Sequence, residues 1–193
     1  GKSFLNAGLG YGGSCFPKDI SAFIAITDQL GTPFPLLKEV QNINERQTTR
    51  FVNYIREALW VLSEKNIAVW GLSFKPNTDD IRSSVAIKIV ETLVAEGANV
   101  TAYDPKAMEN FKGHPLASKV KLADSALEAA NDAEVLIIAT EWPEFANIDL
   151  GELRETMRTP LIFDGRNLLD REAATNYGFQ YHGIGRGTPV IPV

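Results

Sequence analysis

The sequence predicts an α/β chain, with a doubly wound parallel sheet preceded by a long helix and a short helical segment. Three observations predict it. From residue 67 onward, short Val/Ile-rich runs alternate with amphipathic stretches. Residues 36 to 62 carry apolar side chains at helical spacing with no Gly or Pro. Residues 1 to 14 hold five of the 15 glycines and so read as irregular loop. Strands that are apolar throughout, not alternately, are buried on both faces, as when helices cover both sides of a parallel sheet. The sheet domain is therefore expected to be Rossmann-like, with ligands at the C-terminal ends of its strands.

Taken in order, the glycine-rich start leads to Pro17 at a helical first position. Ile20, Phe23, Ile24 and Ile26 continue a helix that ends at Gly31. Pro33 and Pro35 break the chain. Leu36, Val40, Ile43, Phe51, Ile55, Leu59 and Leu62 then follow one helix face for about seven turns. Strands are expected at Ile67 to Leu72, Val100 to Tyr103, Val135 to Ala139 and Leu161 to Phe163, with a last one near Phe179 to Tyr181. Helices are expected at Val85 to Glu96, Ser125 to Ala130, Leu150 to Met157 and Arg171 to Tyr177. A boundary near Glu64 to Asn66 divides a helical segment, 1–65, from the sheet domain, 66–193.

Composition narrows the function. A chain of 193 residues that is 45% hydrophobic can bury a real core. The net charge of −5 is spread, and no Lys/Arg cluster exceeds a pair, which excludes nucleic acid and an anionic membrane as partners. No apolar run approaches the roughly 18 residues of a membrane span, and no signal peptide is visible, so a cytoplasmic protein is expected. His114 and His182 belong to no ligand spacing, and no metal site is expected. The chain opens Gly-Lys-Ser without Met and reads as a fragment.

The single Cys15 cannot form an internal disulfide and is either a packed thiol or a working one. It stands in Gly8-Leu9-Gly10-Tyr11-Gly12-Gly13-Ser14-Cys15-Phe16-Pro17-Lys18-Asp19, just before a helix start. Unpaired N–H groups and the helix dipole there favour a thiolate. Lys18 adds positive charge, the glycines admit a polar ligand to the backbone, and Asp19 can hold or activate water beside the sulfur. A second segment, Gly71-Leu72-Ser73-Phe74-Lys75 through Arg82-Ser83-Ser84, follows the first strand with one glycine, where a dinucleotide turn would show three. NAD is not expected at that turn. Lys75 and Arg82 suit phosphate oxygens, or else are a solvated Lys and an Arg paired with Asp79 or Asp80. Phe163-Asp164-Gly165-Arg166-Asn167 closes a later strand. Asp104 stands where a ribose-binding acid stands in dinucleotide folds, but reads better as a helix cap. The exposed-looking Trp142-Pro143 pair reads as a loop anchor packing on the sheet.

The string GLGYGGSCFPKD resembles the active-site motif of the UDP-glucose and GDP-mannose dehydrogenase family, and GLSFKPNTDDIRSS resembles that family's C-terminal domain signature. FDGRN matches its third motif, so the resemblance runs over essentially the whole chain. It implies that Cys15 is a nucleophile and that Asp19 assists the water steps. It places Phe4, Leu5, Asn6, Tyr11, Gly12, Phe74, Lys75 and Arg166 on a UDP-sugar, and Lys18 and Arg82 on the cofactor side. It further implies NAD as cofactor, bound mainly by a preceding domain outside this chain, and a homodimer built on the helix from Leu36 to Leu62. The activity it implies is oxidation of the C6 alcohol of UDP-glucose to a carboxylate in two hydride transfers, through a thiohemiacetal and a thioester on Cys15. This fragment alone is then expected to be inactive. Phe16-Pro17 and Phe4-Leu5-Asn6 look most like the UDP-glucose branch. Three alternatives stay open: a GDP-mannose or UDP-N-acetyl-hexosamine dehydrogenase, a nucleotide-sugar-binding module without redox chemistry, and a thiol hydrolase.

Overall fold

The computed structural model describes residues 5–187. Helix α1 spans Phe16–Gln29 and α2 spans Pro35–Leu59. Pro35 opens α2 at its first turn, where the missing N–H costs nothing. The sheet domain then runs β1 (Asn66–Trp70), α3 (Val85–Ala95), β2 (Asn99–Tyr103), α4 (Met108–Lys112), β3 (Lys121–Leu122), α5 (Ala126–Ala130) and β4 (Val135–Ile138). It closes with α6 (Pro143–Ala146), α7 (Leu150–Thr156), β5 (Leu161–Asp164), α8 (Arg171–Asn176) and β6 (Gln180–Gly183).

All strand pairs are parallel, in the order β3-β2-β1-β4-β5-β6. This is the doubly wound, Rossmann-like arrangement, and its topological switch point lies between β1 and β4. Within β1, Ile67 and Val69 enter one core and Ala68 and Trp70 the other. In β4, Val135 and Ile137 likewise face away from Leu136 and Ile138. Both sides are covered, which is why these runs are apolar at every position. The first core is closed by α3 and by Phe51, Val52 and Ile55 from the C-terminal half of α2. The second is closed by α5, Phe145 of α6, Leu153 of α7 and Ala174 of α8.

Three details differ from expectation. The sheet has six strands, because β3 is a two-residue edge pairing on β2, too short to show a period. Helix α2 stops at Leu59, where Trp60 turns to a positive φ of 64°. Helices α4 and α6, of five and four residues, fall below the length at which a 3.6-residue pattern is legible.

Candidate active site

Three connections meet at the C-terminal edge of the sheet, and one buried carboxylate joins them. Asp104, wholly buried after β2, accepts through Oδ2 from the N–H groups of Leu72 (2.8 Å) and Ser73 (3.0 Å), from Ser73 Oγ (2.8 Å) and from Trp142 Nε1 (3.1 Å). Its Oδ1 accepts from the N–H groups of Lys106 and Ala107 and so caps the turn into α4. The capping role expected of Asp104 is present, but it is half of what the side chain does. Trp142, which looked exposed in sequence, is 4% exposed because its indole is drawn onto this carboxylate. Thr140 completes the joint by donating to Ser73 O at 2.6 Å. The turn after β1 thus spends the Leu72 and Ser73 amides on Asp104, so its residues do not fit a dinucleotide pyrophosphate.

The glycine loop lies across this edge. Leu9 is 1% exposed, and a Cβ on Gly165 would meet its side chain at 2.5 Å. Gly8 lies against Arg166, where a Cβ would stand 2.9 Å from Nη1. Gly12 lies against the Ser83 carbonyl. Gly13, at φ +89°, lies against the Phe74 ring, so a side chain is barred there by both backbone and contact. The segments around residues 8–19, 71–84 and 163–167 therefore converge on one place.

Cys15 is the N-cap residue of α1 and is exposed. Its Sγ lies 3.7 Å from Ser14 Oγ, and its carbonyl accepts from the Asp19 N–H at 2.8 Å. The Asp19 carboxylate stands on the first turn of α1, paired with Lys18 at 3.4 Å, and both side chains are exposed. Arg82 stands three residues before the start of α3 and binds Asp80 through two nitrogens, at 2.9 and 2.8 Å. Its guanidinium is held above its ordinary range, first by the hydrogen bonds to Asp80 and then by that carboxylate's charge. Lys75 is exposed, with Nζ 5.4 Å from the Phe74 ring centre. Tyr11 is half-buried, meets Phe16 edge to face at 4.8 Å, and leaves its hydroxyl buried without a hydrogen-bond partner. Leu5 and Asn6 are exposed at the loop entry, while Phe4 lies outside the described residues.

Sequence reading missed Glu141 and Asn44. Glu141 follows β4 and pairs with one edge of the Arg166 guanidinium, accepting from Nη2 at 2.6 Å and standing 2.5 Å from Nε. Its position just past a strand C-terminus was an available signal. Asn44 sits on α2 and bonds both the N–H and the carbonyl of Tyr11. Nothing local in the sequence joins residues 33 apart. Among the described residues no group of three His, Cys, Asp or Glu could hold a metal ion, and no helix is long and apolar enough to cross a membrane.

Fold and site define a class: a doubly wound nucleotide-binding-type domain with a thiol presented at a helix start over its ligand edge. Residues 68–171 match the UDP-binding domain of the UDP-glucose/GDP-mannose dehydrogenase family, and residues 1–46 match that family's central domain. The chain belongs to this family. It is 43% identical over 187 residues to the UDP-glucose 6-dehydrogenase of Rhizobium meliloti, covering 96% of this chain and 42% of that protein. A UDP-glucose dehydrogenase from Pyrobaculum islandicum superposes with a TM-score of 0.82 at 35% identity, covering 95% of this chain and 40% of that one. A UDP-D-ManNAc dehydrogenase from Pyrococcus horikoshii gives 0.77 at 33%, over 94% and 40%. The chain spans about two fifths of the length of these relatives.

Proposed function

We propose that the longer protein carrying this chain is an NAD-dependent UDP-glucose 6-dehydrogenase that makes UDP-glucuronate in the cytoplasm. In this reading residues 1–65 supply the nucleophile and a dimer contact, and 66–193 bind the nucleotide sugar. The observation that supports it is the convergence of the three segments: the loop that leads to the exposed Cys15 packs through Gly8 on Arg166, through Gly12 on the Ser83 carbonyl and through Gly13 on Phe74. NAD is the hydride acceptor for both oxidations and is held by another part of the longer protein, since the turn after β1 does not fit it. Phe74, Lys75 and Arg166 hold the UDP portion, and Leu5, Asn6, Tyr11 and Gly12 of the loop, together with Phe4, are assigned to the same substrate. Lys18 and Arg82 face the cofactor.

The chemistry assigned to this chain is nucleophilic catalysis. The Cys15 thiolate attacks the C6 aldehyde left by the first oxidation, forming a C–S bond and an alkoxide that takes a proton. After the second oxidation the sulfur holds a thioester. Water then adds to the thioester carbon, with Asp19 taking the water proton, and the C–S bond breaks to release the carboxylate and the thiolate. Backbone N–H groups at the start of α1 face the developing oxyanion. The homodimer is built on α2, whose Leu36, Val40 and Ile43 are exposed, as are Phe23, Ile26, Leu30 and Phe34.

The test uses the full-length protein with UDP-glucose and NAD. Cys15→Ser is expected to retain UDP-glucose binding and to lose turnover by on the order of 10³-fold or more. Asp19→Asn is expected to accumulate an acyl group on Cys15, visible as added mass in the intact protein. Near-normal UDP-glucuronate production by Cys15→Ser would overturn the covalent mechanism.

A further inference from the structure

We infer that Asn44 positions the thiol loop, and that turnover depends on its side-chain amide although it touches no reacting atom. The inference rests on the reading of Cys15 as nucleophile. Asn44 stands half-buried on α2. Its Oδ1 accepts from the Tyr11 N–H at 2.7 Å, and its Nδ2 donates to the Tyr11 carbonyl at 3.1 Å. A carboxamide presents a donor and an acceptor side by side, as a peptide does, so one side chain here stands in for a strand partner across a single residue. A hydroxyl or a carboxylate cannot satisfy both groups in this way.

The neighbouring residue is shaped to this contact. Gly10 has φ +119°, and a Cβ there would lie 2.6 Å from Asn44 Oδ1. Both the left-handed backbone and the close approach require glycine at that point. Gly10 and Tyr11 are thus docked on α2, while Leu9 is locked against Gly165 and Gly13 against Phe74. The loop is held on one side by the sheet edge and on the other by Asn44. From Tyr11 the fixed backbone runs four residues to Cys15, and the Tyr11 ring packs on Phe16, the first residue of α1. Asn44 therefore sets where the thiol stands relative to Phe74, Lys75 and Arg166, while its own hydrogen bonds go to Tyr11. The α2 helix gains a part in the chemistry beyond packing.

The experiment uses the full-length enzyme, with Asn44→Asp as the near-isosteric change. The carboxylate keeps the acceptor for the Tyr11 N–H but sets a second oxygen against the Tyr11 carbonyl. Displacing a reacting group by about 1 Å costs on the order of 10²-fold, so kcat is expected to fall about 10- to 100-fold. The affinity for UDP, measured by calorimetry, is expected to change less than about threefold, because its diphosphate contacts are not Asn44's. The alkylation rate of Cys15 by iodoacetamide, read by intact mass, should stay within about twofold, because the thiol's own helix cap is local. Asn44→Ser, whose hydroxyl is one bond too short to reach the Tyr11 backbone, covers the case in which the aspartate variant fails to fold, and should lower kcat in the same way. A merely structural role would lower the melting temperature and leave kcat intact in folded protein. Wild-type kcat in either folded variant, or a loss of UDP affinity as large as the loss of kcat, overturns the inference. Cys15→Ser is assayed in parallel. If it retains turnover, the nucleophile reading and this inference fall together. If it is inactive while Asn44→Asp keeps kcat, only the inference falls.

Discussion

His182 shows how the fold sets the behaviour of a single side chain. Its ring stacks on Phe163 at 4.6 Å, and both nitrogens are buried without a hydrogen-bond partner. Burial, and then the charge of Arg171, push its pKa below the ordinary 6.5. Because the folded value lies below the unfolded one, the stability tied to the neutral ring is fully present above 6.5 and is lost as pH falls through the folded value. His182→Phe removes the titrating group next to a cavity of about 300 Å³ that can take the extra bulk. Urea midpoints measured between about pH 7 and about pH 5 should fall less steeply for this variant than for the parent. Equal slopes would show that the imidazole is not the source of acid lability. In sequence His182 was only a histidine outside any ligand spacing; its burial comes from the β5–β6 pairing that sets it beside Phe163.

At the scale of elements, Asp104 ties the connections after β1, β2 and β4 into one rigid edge. Six donors converge on its two oxygens. Asp104→Asn keeps the shape but turns an NH₂ toward donors that then have no acceptor. The loss is expected to be about 2–4 kcal/mol in urea unfolding, and Phe74 and Lys75, one and two residues past Ser73, should lose their fixed placement. A variant as stable as the parent would mean that water replaces the carboxylate. The sequence offered a cap at this position because no glycine triplet upstream supports a ribose-binding acid; it could not offer Trp142, 38 residues away, as a partner.

For the whole molecule, α2 divides its two halves between different tasks. Phe51, Val52 and Ile55 are buried against the sheet, each stabilising the fold by about 1.5–3 kcal/mol, whereas Leu36, Val40 and Ile43 remain open to solvent. An apolar stripe of this extent is where a second copy is expected to dock. In sedimentation at tens of micromolar the chain should be a dimer, and Val40→Glu with Ile43→Glu should be monomeric with an unchanged melting temperature. A parent that is strictly monomeric defeats the dimer. In calorimetry the chain should bind UDP, weakly, through Lys75 and Arg166, with Arg166→Ala reducing that signal. NAD should give none. NAD binding comparable to UDP would defeat the assignment of the sheet to the nucleotide sugar. Glu141 occupies the Arg166 guanidinium here, so a phosphate held by Arg166 would have to displace that ion pair.

The sequence by itself determined the parallel sheet, the long helix and the glycine-thiol loop. Those follow from short-range periodicity: apolar runs buried on two faces, a helical stripe without breakers, and glycines before a proline-led helix. It also carried the family resemblance, because the three motifs are contiguous strings. What the tertiary structure alone decided was the meeting of those strings: Gly8 against Arg166, Gly13 against Phe74, and Tyr11 on Asn44. These contacts join residues 33 to 158 positions apart, whose proximity is fixed by strand order and by the buried packing of Leu9 and α2. Local pattern records which face of an element is apolar, but a polar partner across the fold leaves no period behind. Glu141 and Asn44 therefore became visible only when the chain was closed.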